Sequence, residues 1–116
     1  MKRRFRLTGS TDFKRVRRTG KSYAHPLIVL VALPNEKDYS RFAVVAGRSM
    51  GKAVQRNRAK RRLREALRPL LPSIALGWDM IFITRRPMAA ATFQEIQRAL
   101  QTLLDRTKIL KIPYGG

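Results

Sequence analysis

The run Leu27-Ile-Val-Leu-Val-Ala-Leu33 constrains the fold of this chain more than any other segment. It is continuously apolar and rich in β-branched residues, and it is far shorter than the roughly 20 residues a membrane-spanning helix needs. Such a run predicts a buried, central β-strand. Pro34-Asn-Glu-Lys-Asp38 has turn chemistry, and Arg41 to Gly47 reads as the strand that returns from it, so the two predict a hairpin. Lys21 to Ala24 supplies a further short strand before His25-Pro26. Met80-Ile-Phe-Ile-Thr84, reached through Gly77-Trp78-Asp79 and closed by Arg85-Arg86-Pro87, is a second buried strand.

Helices are expected between and around these strands. Ser10-Thr11-Asp12 reads as a helix start, with a hydroxyl cap and an acid near the positive end of the dipole. Gly20 is placed to end that helix in a left-handed conformation after the cationic turn Arg17-Arg18. Phe13 and Val16 share one of its faces. Ser49-Met50-Gly51-Lys52 forms a tight junction into a helix from about Ala53 to Arg68, which Pro69 stops or kinks. Thr92 and Glu95 form a capping box, and Phe93, Ile96, Leu100, Leu103 and Leu104 make one apolar stripe behind it. The tail from Ile109 to Gly116 has no clear pattern. With no internal repeat, low-complexity segment or linker, the 116 residues read as one α+β domain, 1–116.

Charge then narrows what the domain meets. Lys and Arg number 26 against seven Asp and Glu, a formal net charge of +19. So large an excess repels itself and favours an anionic partner: nucleic acid, an acidic membrane surface or an acidic protein. A compact basic domain that is 44% hydrophobic points to the first. The absence of cysteine excludes disulfides and thiolate metal sites and is compatible with a reducing compartment. The basic start Met1-Lys-Arg-Arg-Phe-Arg lacks the apolar stretch of a secretory signal.

The stretch Gly51-Lys-Ala-Val-Gln-Arg-Asn-Arg-Ala-Lys-Arg-Arg-Leu-Arg-Glu-Ala-Leu-Arg68 concentrates that charge. At 3.6 residues per turn, Ala59, Leu63, Ala66 and Leu67 form an apolar stripe, and Asn57, Arg61, Arg64 and Arg68 fall on roughly the opposite side. Lys60 borders the stripe on one flank, Arg58 and Arg62 on the other. An ordinary solvated helix alternates charge signs so that i,i+4 pairs form. This one stacks like charges, as in Arg56-Lys60-Arg64, with Glu65 as its only acid. A phosphate-binding surface accounts for that pattern better, and arginine suits bidentate phosphate contacts.

The same residues argue against a self-sufficient nuclease. His25 is the only histidine, so no imidazole pair can share acid and base work. The acids Asp12, Glu36, Asp38, Glu65, Asp79, Glu95 and Asp105 are scattered, whereas a two-metal site needs several converging carboxylates. Gly47 to Gly51 lacks the spacing of a phosphate-binding loop.

The string from Gly51 to Glu65, centred on Arg56-Asn57-Arg58 and followed by Lys60-Arg61 and Arg64, resembles the signature of the ribonuclease P protein family. The resemblance runs from about Phe5 to Lys108 and takes in Arg6-Leu7, Asp12-Phe13, Gly20, the paired strands before Arg48, and Arg85-Arg86-Pro87. It implies a two-layer α/β sandwich of order α-β-β-β-α-β-α, with a four-stranded sheet and a left-handed β-α-β crossover, a domain also found in a ribosomal protein. That handedness opposes the usual preference. It further implies a division of labour in the cytoplasm. A catalytic RNA subunit holds the Mg²⁺ ions and cleaves precursor tRNA. The protein binds that RNA through Lys52, Arg56, Asn57, Arg58, Lys60, Arg61, Arg64 and Arg68, and holds the single-stranded 5′ leader in a groove on the sheet. No membrane and no obligate protein partner is implied.

For the groove the resemblance points to Phe13, Arg17, Val31, Arg48, Arg85 and Arg86. Phe13 matches a position where the family places an aromatic, while Arg17 and Val31 stand where an aromatic is common. Stacking is therefore thinned here, and Arg48, Arg85 and Arg86 are expected to compensate as phosphate contacts. A structural RNA-binding protein of ribosomal or chaperone type would share the charge and a related fold, and the full Arg-Asn-Arg context separates the two. A membrane-surface cationic protein would need an exposed apolar helix face, which the pattern does not provide.

Overall fold

The structure is a computed structural model and describes residues 6–109. What was expected of Met1–Phe5 and of the tail beyond Ile109 lies outside the described residues. The elements follow in the anticipated order: α1 (Ser10–Thr19), β1 (Lys21–Ala24), β2 (Ile28–Pro34), β3 (Arg41–Ala46), α2 (Ala53–Leu67), β4 (Trp78–Thr84) and α3 (Phe93–Arg106). Short 3₁₀ turns at Arg48–Met50, Arg68–Ser73 and Arg86–Ala90 fill the junctions. Among the described residues no helix is long and apolar enough to cross a membrane.

The sheet order is β1-β2-β4-β3, which corrects the expected β2–β3 hairpin. β2 pairs antiparallel with β1 (Lys21↔Ala32) and with β4 (Ile28↔Thr84), and β3 pairs parallel with β4 (Arg41↔Asp79). Burial explains the insertion. β4 is buried from Asp79 through Phe82 and belongs in the interior of the sheet, whereas only Phe42 of β3 is buried, which suits an edge. The turn after Pro34 reverses the chain without making neighbours of the strands it joins. Joining β3 to a parallel β4 requires a crossover, and α2 supplies it.

The two faces of the sheet are covered unequally. Ile28, Leu30, Met80 and Phe82 pack with Leu63 and Leu67 of α2 and with Ile96, Leu100, Leu103 and Leu104 of α3, all buried in one core. This is the α/β sandwich. Val31 and Ile81 project the other way, under Val16 of α1 and Leu7. α1 covers only part of that face, so Val29, Ile83 and Val45 remain half-buried. In α3 the capping box forms as anticipated, with Thr92 and Glu95 exchanging hydrogen bonds of 2.9 and 3.1 Å. Phe93, however, leaves the apolar stripe and is 42% exposed.

Two local details differ from expectation. Gly9, not Ser10, is the N-cap of α1, and no side chain caps the helix. Gly20 is extended (φ −70°, ψ 156°) rather than left-handed. Glycine is needed there for proximity: a Cβ would lie 2.6 Å from the Val16 carbonyl oxygen and 2.8 Å from Val31 Cγ1. Gly51 does need its freedom, with φ at 95°, and it leads into a start of α2 at which the Lys52 N–H donates to Gln55 Oε1 at 2.8 Å.

Candidate nucleic-acid interface

α2 divides as its sequence predicts. Ala59, Leu63, Ala66 and Leu67 are buried against the sheet and α3. Lys52, Arg56, Asn57, Arg58, Arg61, Arg64 and Arg68 are exposed, and Lys60 is half-buried. Fifteen residues at 1.5 Å each give a cationic ridge of about 22 Å. Among the described residues, none of these cations is ion-paired; every ion pair engages Asp12 or Asp79 instead. The ridge thus presents its charge to solvent, where a polyanion can displace its counterions. Arg62 is the exception on the helix. Its guanidinium donates to the carbonyl oxygens of Met88, at 3.2 Å, and Ala91, tying the turn after β4 to α2.

The groove residues are brought together only in part. Phe13 and Arg17 lie one turn apart on α1, Phe13 half-buried and Arg17 exposed. Val31 does not line a groove: at 4% exposure it is packed beneath α1 with Leu7, Val16 and Ile81. Two residues back on the same face, Val29 is the position α1 leaves half-open, in register with Ile83 and, across β4, with Val45. The parallel pairing of β3 and β4 carries Arg48 and Arg85-Arg86 to the same end of the sheet, where the Gly47 N–H donates to the Thr84 carbonyl at 3.0 Å. Arg48, Arg85 and Arg86 are all exposed there. Thirty-six residues lie between Arg48 and Arg85 in the chain, so this juxtaposition is a product of the topology.

Arg85 also has a local duty, donating from Nη1 to the His25 carbonyl at 3.1 Å. The His25 ring serves the turn between β1 and β2, where Nδ1 accepts from the Leu27 N–H at 3.0 Å. Burial, and then the charges of Arg106 and Arg85, push this imidazole below its ordinary range. A neutral ring suits an acceptor in a turn, which fits the reading of His25 as a structural residue.

Sequence reasoning missed the ionic centre on the α1 face. Asp79 is fully buried and accepts from Arg41 (Nε 2.9 Å, Nη2 2.7 Å), Arg15 (2.8 Å) and Asn35 (2.9 Å). Arg41 also reaches Asp12 at 3.1 Å, so Asp12 serves this network in addition to standing in the first turn of α1. Burial alone would raise the Asp79 carboxyl; the hydrogen bonds from Arg41 and Asn35, with the charges of Arg41 and Arg15, outweigh it and hold the group below the ordinary carboxylate range. The same bonds raise Arg41. The partners lie 38 to 64 residues from Asp79, and only the strand register shows that they meet. The one available signal was an acid standing alone at the head of an apolar strand.

Comparison with known proteins agrees with this geometry. The family model described as Ribonuclease P matches residues 1–108. The ribonuclease P protein component of Roseiflexus castenholzii is 42% identical over 112 residues, spanning 96% of this chain and 92% of that protein. That of Clostridioides difficile is 38% identical over 104 residues, with 89% and 91% covered. Among solved structures, the Staphylococcus aureus RNase P protein superposes with a TM-score of 0.80 at 32% identity, covering 91% of this chain and 97% of that one. The Thermotoga maritima protein gives 0.77 at 33%, covering 87% and 96%. With the family model spanning nearly the whole of the described chain and relatives at about 40% identity over most of their length, the chain belongs to the ribonuclease P protein component family, the protein part of a tRNA-processing ribonucleoprotein.

Proposed function

We propose that this chain binds the RNA subunit of ribonuclease P along the outer face of α2 and steadies the 5′ leader of precursor tRNA on the open part of the sheet, while the RNA subunit performs the cleavage. The observation that carries the reading is the row of cations from Lys52 to Arg68, exposed except at Lys60 and Arg62 and without ion pairs among the described residues, in a member of this family. Each phosphate contact releases condensed counterions, so affinity follows the number of contacts and falls with salt. Asp79 and Asp12 are already engaged by arginines, and among the described residues no three acids or histidines gather into a site for a metal ion. In this reading the Mg²⁺ ions are held by the RNA subunit. The cytoplasm, where precursor tRNA is processed in bacteria, is the compartment this reading implies.

For the leader, the reading uses the exposed Arg17 on α1 and the exposed Arg48, Arg85 and Arg86 at one end of the sheet as phosphate contacts beside the half-buried row Val29, Ile83 and Val45, with Phe13 as the one aromatic of the expected set. Charge should therefore dominate over stacking. The test is cleavage of a precursor tRNA at low Mg²⁺ with RNA subunit alone, protein alone and both. Protein alone should be inert and the mixture should cleave at lower Mg²⁺ than RNA alone; site-specific cleavage by RNA-free protein would overturn the reading. A salt series comparing precursor with mature tRNA adds the groove. The protein-dependent preference for precursor should shrink as salt rises. It should also shrink at low salt in Arg17→Ala and Arg48→Ala. A preference insensitive to salt that collapses only in Phe13→Ala would show that stacking dominates.

A further inference from the structure

A cavity of about 360 Å³ opens at the free edge of β3, walled by Arg6, Phe13, Val44, Arg64, Arg68 and Leu71. β3 is an edge strand, and the segment before α1 covers only its beginning: Arg6 bridges Phe42 in parallel, and the Leu7 N–H donates to the Phe42 carbonyl at 2.7 Å. Along a strand, successive residues turn their N–H and C=O to opposite sides. Since Phe42 turns its carbonyl outward, Val44 and Ala46 face outward as well, while Ala43 and Val45 face β4. Among the described residues the outward N–H and C=O of Val44 have no partner, and Val44 is one of the residues that line the cavity.

The occupant follows from length and charge. An added peptide strand would find only Val44 and Ala46 to pair with, whereas strands usually run to about 5–6 residues. A second copy of this chain would bring a further +19 to a rim that already carries three guanidiniums. An RNA base meets both conditions. Each nucleobase has a donor and an acceptor side by side on its Watson–Crick edge, a match for the N–H and C=O of one extended residue. That edge is available only when the nucleotide is unpaired. Phe13 and Leu71 offer apolar surface for the ring, and Arg6, Arg64 and Arg68 surround it with phosphate donors.

We propose that this cavity takes one unpaired ribonucleotide, its base on the peptide edge of Val44 and its flanking phosphates on Arg6, Arg64 and Arg68. The proposal rests on the RNA-binding reading above and deepens it. It adds a contact to a base edge beside the arginines of α2, whose phosphate contacts position an RNA without reading its bases.

The test is a titration of the ¹⁵N-labelled full chain with adenosine 5′-monophosphate and, in parallel, with ribose 5-phosphate, which lacks the base. The Val44 amide resonance should shift and saturate with the nucleotide and stay in place with the sugar phosphate. The same response to both, or none at Val44, overturns the proposal. In the reconstituted holoenzyme, Val44→Pro removes the outward N–H at an edge position where the ladder to β4 stays whole, and Val44→Ala keeps it. Affinity for the RNA subunit should fall roughly tenfold in the proline variant, within the range expected for one base, and stay within about twofold of the parent in the alanine variant. Equal losses in the two would trace the effect to packing and refute the base contact. Failure of the unmodified chain to bind the RNA subunit at all would instead remove the function on which the proposal stands.

Discussion

Arginine does two opposite jobs in this molecule, and the contrast lies between the α1 face of the sheet and the outer face of α2. On the first, Arg15 and Arg41 converge on a buried carboxylate and, with Asp12, bind one turn of α1 to β3 and β4. On the second, Arg56, Arg58, Arg61, Arg64 and Arg68 are exposed and lack acidic partners among the described residues. The difference is one of supply: seven acids cannot neutralise 26 bases, and the ones placed inside are used for structure. The densest run of what is left over, eight Lys and Arg between Lys52 and Arg68, lies on one helix. An arginine tied to protein acceptors should affect stability and leave the salt dependence of RNA binding alone, and an untied one should do the reverse. On the scale of folding stability, the expected effects can be ordered from the largest.

Asp79→Ala takes from Arg41, whose side chain is only 14% exposed, its two closest bonds and leaves it Asp12 alone, and should cost up to about 3–5 kcal/mol in denaturant unfolding. The Arg15 contact adds little of this, since that side chain is 39% exposed and well screened. The acid limb checks the assignment. Because the folded Asp79 carboxyl is depressed, its contribution is present above the unfolded value of about 3.9 and is lost as pH falls through the lower folded value. Asp79→Asn should therefore show a shallower loss of stability below about pH 4 than the parent. An identical acid profile would mean that the carboxylate carries no net stabilisation. The salt slope of RNA binding should be unchanged in either folded variant.

Within α2 the contrast can be sharpened on a single helix. Leu63→Ala opens a cavity at a fully buried position and should cost about 2–5 kcal/mol. Arg62→Ala leaves the Met88 and Ala91 carbonyls without their charged donor and should cost less, about 1–3 kcal/mol. Thermal or chemical unfolding measures both. Arg62 is the sharper probe, because its neighbours Arg61 and Arg58 are exposed. If Arg62→Ala were neutral to folding and lowered the salt slope of RNA binding, it would belong with the phosphate-facing residues.

These two uses of arginine were not equally legible in the sequence. Periodicity alone separated the faces of α2, because the apolar positions recur at helical spacing and both faces lie on one continuous segment. The capping box at Thr92 and Glu95 was legible for the same reason, every partner being within one turn. The Asp79 network was not, since it depends on β4 lying beside β3, and the turn after Pro34 pointed to β2 and β3 as neighbours instead. The same topology hid the meeting of Arg48 with Arg85 and Arg86. Val31 shows a subtler limit. The resemblance groups it with Phe13 and Arg17 on the groove side of the sheet, yet which residue of that face α1 covers is set by where the helix crosses, and the close approach of Gly20 to Val31 brings the helix down there rather than at Val29.

The smallest expected effect on folding belongs to the residues with the largest expected effect on RNA. Arg61 and Arg64 are exposed, without ion pairs among the described residues and away from the apolar stripe, so Arg61→Glu with Arg64→Glu should change stability by no more than about 0.5 kcal/mol. Replacing two like charges on a crowded helix face removes repulsion, and the sign of that small change should be favourable or neutral. Binding to the RNA subunit is a different matter. Every phosphate that goes unneutralised lowers the slope of log affinity against log salt by about one, so the pair should flatten it by about two. The measurement is affinity for the RNA subunit across a salt series, with Arg62→Ala as the control that changes stability and not slope. A folded double variant whose slope equals the parent's would place the RNA surface off α2. A variant that loses stability on the scale of Asp79→Ala would show that these guanidiniums have protein partners after all, and the division between structural and RNA-facing arginines would no longer hold.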